Sequence, residues 1–580
     1  MEHEYDIVIR HGKVVDGTGA EPFLADVAIS GGRIAAVGEV KGRGKEELDA
    51  KGLLVTPGFV DIHTHYDGQA TWAERLTPSS WHGITTVVSG NCGVGFAPVR
   101  EKDHECLIEL MEGIEDIPGT VLHDGLKWNW ETFEEYMDAL DVCKWDVDLA
   151  VQLPHAPLRV YVMGDRAIRH EDATPEDIAK MREITRDAMK AGAIGFSTSR
   201  LISHKSVKGV PTPSYHSKEE ELTGIALGVK DAGKGVLQLI SDFKEEGREQ
   251  EYAMVHRIVE ASGRPMSISV VQFHHEPDSW REHMAMIAKG REKGLNMHAQ
   301  VAPRPVGAIF GLSTSAHPFM GLQCFREIAS KTLEEKVAIM RTPEFRKRAL
   351  EEASLGPQEL RREGADQSGA APGMVLAGSR TFPLGEKPDY GLDPETSVAA
   401  IAKREGRDEN EVIYDLLLED DGKNLIFSAI LNYHSHDYSA IREMLTLPGA
   451  IIALGDGGAH VGQVVDATFQ TTSLKTWGSD IGVPEIVRLQ TSVPAKAVGL
   501  FDRGVIAPGM RADINLIDFD NLWVQRPYVA HDLPTGAPRL LQKATGYVAT
   551  IVKGEVTYRN GEPTGALPGR LIRGEQHAPA

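Results

Sequence analysis

Thr56-Pro57-Gly58-Phe59-Val60-Asp61-Ile62-His63-Thr64-His65-Tyr66-Asp67 is the stretch on which the reading of the whole chain turns. A Pro-Gly pair opens a short apolar run. Alternate residues of a strand face the same side, so Asp61, His63 and His65 are predicted to point together if the strand persists that far. Two imidazoles presented by one strand end form a ligand pair for a Zn2+-like ion. The plain alternative is two ordinary histidines beside a turn; the preceding apolar strand and Pro-Gly favour ligands.

Outward from this stretch, short apolar strands alternate with helical segments, the pattern of a parallel sheet with crossover helices. Eight strands are predicted, around residues 58–63, 85–90, 147–153, 192–198, 235–241, 266–272, 296–301 and 450–455. Several are continuously apolar, as strands covered on both faces should be. Eight such units suggest a closed (β/α)8 barrel, with an open doubly wound sheet as the alternative. After the third strand, Thr174 is expected to cap a helix, with Pro175 in its first position and Asp177 completing a capping box. The stretch 302–449, between strands seven and eight, carries helical segments of its own at Pro394 to Glu405 and Glu409 to Glu419. It is read as an insertion over the barrel mouth, where βα-loops build active sites.

Strand and turn patterns also occupy both ends of the chain, at Tyr5–Arg10, Asp26–Ser30 and Arg33–Val37 and again at Ala512–Ile517 and Tyr547–Lys553. Neither end is large enough to bury a core alone, so the two are expected to pair. The expected organisation is therefore residues 1–56 and 501–565 as the halves of a small β-sandwich, 57–500 as the barrel, and 566–580 as an uncovered tail.

Bulk composition narrows the function. At 580 residues, with 41% hydrophobic and 25% charged, the chain has the profile of a globular protein of more than one domain. A net charge of -22 argues against nucleic acid as a partner, because phosphate binding requires clustered Lys and Arg. No run is long enough for a membrane span, and the start Met-Glu-His-Glu-Tyr lacks the pattern of a secretory signal. Four irregularly spaced cysteines form no disulfide framework, so a cytoplasmic setting is expected. Enzymes of this size are often symmetric assemblies, and the sequence leaves open whether this chain forms a homo-oligomer.

The motif Pro57-Gly58-Phe59-Val60-Asp61-Ile62-His63-Thr64-His65 resembles the first-strand motif of the amidohydrolase superfamily. Gly90-Asn91-Cys92-Gly93 is similar to the N-acyl-D-amino-acid deacylase (D-aminoacylase) family. The likeness extends to Gly192–Ser199, to Leu454-Gly455-Asp456-Gly457-Gly458-Ala459-His460 and to Gly504–Gly509, which is nearly end to end. The resemblance implies a TIM-like barrel with a β-sandwich, zinc as cofactor (one or two ions) and a small N-acyl compound as substrate. It also implies His63, His65 and Cys92 as metal ligands, and Asp456, at the end of strand eight, as general base and further ligand. The family's histidines at strands five and six are missing. Strand five has no histidine and Val270 replaces that of strand six, with His274 and His275 a few residues on; Gln238, Asp242 and Gln272 are the polar residues that could replace them, and Lys205 is the residue a carboxylated-lysine ligand would use.

His155, Arg159, His204, Arg304 and His460 lie near strand ends and are candidates for substrate contact, the arginines because a guanidinium presents a planar fork to a carboxylate. The leading expectation is a metal-dependent deacylase of N-acyl (D-)amino acids. A cyclic-amide hydrolase of the hydantoinase kind and a catalytically inactive scaffold are the alternatives.

Overall fold

The structure of the protein, a computed structural model, describes residues 3–355 and 376–579. Residues 356–375 of the expected insertion lie outside the described residues.

Eight parallel strands lie side by side in chain order: Phe59–Asp61, Ile84–Ser89, Asp148–Pro154, Gly195–Arg200, Val236–Ser241, Met266–Val270, Met297–Val301 and Ala450–Ile452. Beyond the ends of the first and eighth strands the backbones meet. The Asp456 amide donates to the His63 carbonyl at 3.0 Å, and the His65 amide donates to the Gly457 carbonyl at 2.8 Å. These bonds draw the sheet into a nearly closed barrel, and the open-sheet alternative falls away. Alternate residues divide between the two faces of the wall. Ile268 and Val270 share a core with the helix residues Val255, Ile258 and Ile287, so their neighbours Ser267 and Ser269 face the barrel interior. The helix Pro175–Ala191 has the predicted cap: Thr174 accepts from the Asp177 amide, and the Asp177 side chain answers it.

Both chain ends enter one nine-stranded sheet. Its two parts join where Leu54–Pro57 runs antiparallel to Ile514–Ile517, with Val55 opposite Leu516. Ile7, Ile29, Val55, Leu516 and Ile551 share its core. This pairing matters for the site, because it fixes the chain at Pro57 immediately before the first barrel strand.

Two expectations need correction. Residues 566–580 are no uncovered tail: Leu571–Ile572 pairs in parallel with Leu149 and Ala150 of the third barrel strand. The fourth strand meets the third only from Gln152 onward, so the backbone before that point takes the chain end as its partner. The long insertion contains more than helix. Val306–Phe310, Thr381–Pro383 and Ile426–Leu431 form a three-stranded sheet, beside a separate core that includes Phe310, Phe325, Tyr414 and Ile426. Among the described residues, no helix is long and apolar enough to cross a membrane.

Candidate metal centre

The first strand ends at Asp61, and the chain continues past it towards the barrel mouth. The Asp61 carboxylate turns back and accepts from the His63 amide at 3.0 Å, with Gln470 at 3.5 Å on its other oxygen. Burial pushes its pKa up to about 7. Asp61 therefore braces the turn, while His63 and His65 carry on to the mouth, their rings 5.5 Å apart and nearly edge to face.

Cys92 arrives from the end of the second strand. Its own backbone is left-handed, with φ +54, and Gly90 before it has φ +80. A side chain at Gly90 would collide with the Gln152 carbonyl, so glycine is what lets this turn press against the third strand. Asp456 (φ +48) and His460 (φ +46) are left-handed too. Strained backbone at three chemically able residues is a feature of functional sites.

These residues converge. The ligand atoms of His63, His65 and Cys92 all lie within 4.8 Å of one another, and all three residues are buried. Cys92 Sγ is 3.3 Å from His63 Nε2. Asp456 Oδ1 is 3.5 Å from His63 Nε2 and 3.9 Å from His65 Nε2. His63 Nδ1 donates to Gln300 Oε1 at 2.6 Å, which leaves the Nε2 lone pair facing the group. Burial pulls the His63 pKa down to about 4 and that of His65 well below its ordinary value. Burial also pushes the Cys92 thiol well above its usual range and Asp456 up to about 7. Without a cation, then, burial favours the neutral forms of the two imidazoles and the thiol. Two buried atoms of the group, His65 Nδ1 and Asp456 Oδ1, have no hydrogen-bond partner. Two neutral imidazoles, a thiol and a nearby carboxylate form the donor set that a Zn2+-like ion takes. The residues fit a metal.

The opposite side of the barrel interior is different. Gln238, on the fifth strand, accepts from the Cys92 amide at 3.2 Å. Val270 packs on the helix side, so the inward position of the sixth strand is Ser269, not Val270. Asp242 accepts from the Ile202 amide, and Gln272 spans Pro277 and His434, so both serve loops. Lys205 forms a backbone bridge with Pro211.

The five candidates for substrate contact separate. Both ring nitrogens of His155 are taken, by Thr198 at 2.8 Å and Glu221 at 2.9 Å. Arg159 spends its donors on Glu221 and on the carbonyls of Ala167, Pro213 and Glu171. The physical reason is local. A helix begins at His155, directly after the third strand, and carries both residues into the wall rather than the mouth. Arg304 pairs with Asp466 at 3.0 Å and lies over the Tyr390 ring, while its Nε and Nη1 have no hydrogen bond. His204 is held by Ser199 at 2.8 Å; burial, with His460 and His63 nearby, lowers its pKa to about 3. His460 faces Glu115.

Glu115 and Gln300 escaped the sequence reading. Glu115 has one signal in hindsight: it falls on the buried stripe of its helix with Ile108, Met111 and Ile114, where a charge is out of place. Gln300 has none, since only the fold brings it under His63.

A sequence profile described as the amidohydrolase family matches residues 46–558 of this chain. The D-aminoacylase of Alcaligenes xylosoxydans xylosoxydans is 29% identical over 273 residues, 45% of this chain and 52% of that protein, so this match spans about half of the relative. The N-acyl-D-aspartate deacylase of the same organism is 26% identical over 572 residues, 98% of this chain and 95% of that protein. Among solved structures, an N-acyl-D-glutamate deacylase from Bordetella bronchiseptica, complexed with zinc and a phosphonate inhibitor, matches with a TM-score of 0.63 at 22% identity. That match covers 99% of this chain and 100% of the other. The structural likeness establishes the shared fold.

Proposed function

From the premise that this chain belongs to the amidohydrolase family and is a hydrolase of amide carbon–nitrogen bonds, we propose that it deacylates a linear N-acyl compound of the N-acyl-amino-acid kind. The observation that carries this reading is the convergence of His63, His65 and Cys92 beside Asp456. The end-to-end match to an N-acyl-D-aspartate deacylase supports the linear substrate.

His63, His65 and Cys92 would hold one Zn2+-like ion, and the zinc complex of the Bordetella relative supports that choice of metal. A single ion suits the amide and hydroxyl of Gln238 and Ser269, which offer no second imidazole set. When bound, the ion would polarise the amide carbonyl as a Lewis acid and bring the acidity of the attacking water towards neutrality. The chain's own groups do the rest. Gln300 keeps the proton of His63 on Nδ1, so Nε2 is free to ligate. Asp456 Oδ1, which has no hydrogen bond of its own, takes the proton of the attacking water and later hands it to the leaving nitrogen. Arg304, whose buried Nε and Nη1 make no hydrogen bond, would meet a polar group of the substrate, with His204 and His460 as further candidates for substrate contact. His155 and Arg159 hold the wall. We place the enzyme in the cytoplasm, on the strength of four unpaired cysteines.

A substrate screen of linear N-acyl amino acids against ring amides, read by amine or acid release, tests this. Turnover of linear substrates is expected. Turnover of ring amides alone would overturn the substrate class, and a metal-free chain inert towards both would point to a scaffold.

A further inference from the structure

Glu115 ends the helix His104–Glu115 and is buried beside the ligand group. A carboxylate there is doubly disfavoured: the helix C-terminus is itself partly negative, and burial penalises charge. Among the described residues no Lys or Arg pairs with it; its ion-pair partners are two imidazoles. Oε1 lies 3.3 Å from His65 Nδ1, and Oε2 lies 3.7 Å from His460 Nε2. The Glu115 carbonyl also accepts from the His460 amide, at the left-handed residue that closes the Asp456 loop.

The two ligand imidazoles are thus supported differently. His63 gives its Nδ1 proton to the neutral amide of Gln300, whereas His65 Nδ1 makes no hydrogen bond among the described residues and faces the Glu115 carboxyl group at 3.3 Å. His65 Nε2 is the nitrogen on the Asp456 side. A carboxylate behind a ligating histidine fixes which nitrogen keeps the proton and raises the basicity of the other. Resting on the metal-centre reading above, we propose that Glu115 is a positioning residue. It orients His65 with Nε2 towards the cation and, through His460, ties the Asp456 loop to the same carboxylate.

Zn2+ affinity of the full-length chain, measured by competition with a chromogenic chelator, tests this without recourse to activity. Glu115→Ala is expected to weaken Zn2+ binding about 10–100-fold. Glu115→Gln, which keeps an acceptor oxygen and the shape of the side chain, is expected to weaken it less. His460→Ala, which cuts the side-chain tie to the Asp456 loop but leaves Glu115 behind His65, is expected to weaken Zn2+ binding less than Glu115→Ala. Wild-type affinity in Glu115→Gln and Glu115→Ala overturns the proposal, as does wild-type affinity in Glu115→Gln should the alanine variant fail to fold. A wild-type chain that takes up no Zn2+ overturns both this proposal and the metal-centre reading. Wild-type binding that survives loss of Glu115 overturns this one alone.

Discussion

The two sides of the barrel mouth are built from different chemistry. Strands one, two and eight bring His63, His65, Cys92 and Asp456 together, with orphaned atoms and left-handed backbone. Strands five to seven present Gln238, Ser269 and Gln300, of which Gln238 and Gln300 hydrogen-bond to Cys92 and His63. One side can ligate and move protons; the other can orient. The difference teaches that neutral amides on one side of the mouth can brace a converging set of donor atoms on the other.

That contrast can be broken most severely at Asp456. Asp456→Asn keeps the shape but cannot accept a proton, so kcat is expected to fall about 10²–10⁴-fold in steady-state assays. A loss of less than about tenfold would move the proton transfer elsewhere. On the orienting side, Gln300→Ala frees the His63 Nδ1 proton from its acceptor. Zn2+ affinity is expected to drop about tenfold, measured by chelator competition, with the fold unchanged by circular dichroism. An unchanged affinity would reduce Gln300 to barrel filling.

The smallest effect is on stability. Burial pushes Asp67 up to about 7, and its Oδ2 has no hydrogen bond. A carboxyl whose folded pKa is raised favours folding fully below its unfolded value and loses that contribution as pH rises through the folded value. The cation-free chain is therefore expected to melt higher near pH 4 than near pH 8 from this group, by a few degrees. Asp67→Asn is expected to narrow that difference in thermal scans with chelator present.

Much of this was legible in the chain. The eight strands announced themselves as apolar runs because a barrel wall is covered on both faces, and His63 and His65 followed from a strand's alternation. Cys92 and Asp456 came only with the family resemblance, since a lone cysteine and an aspartate in a glycine turn carry no distinctive local pattern. His155 and Arg159 were misjudged because a strand end does not reveal that a helix begins at the next residue and points their side chains at Glu221. Glu115 and Gln300 find their partners across long sequence separations, and no local spacing encodes that. The sixth strand misled by one position: Val270 occupies the expected register, but the pleat turns Ser269 inward.

Metal content and anomalous scattering of the purified chain, beside Cys92→Ser, address the central claim directly. The expected result is one transition-metal ion per chain, seated on His63, His65 and Cys92 next to Asp456, and a marked loss of that ion in the serine variant. An ion bound elsewhere, or a stoichiometric ion indifferent to the loss of the Cys92 thiol, would contradict the account.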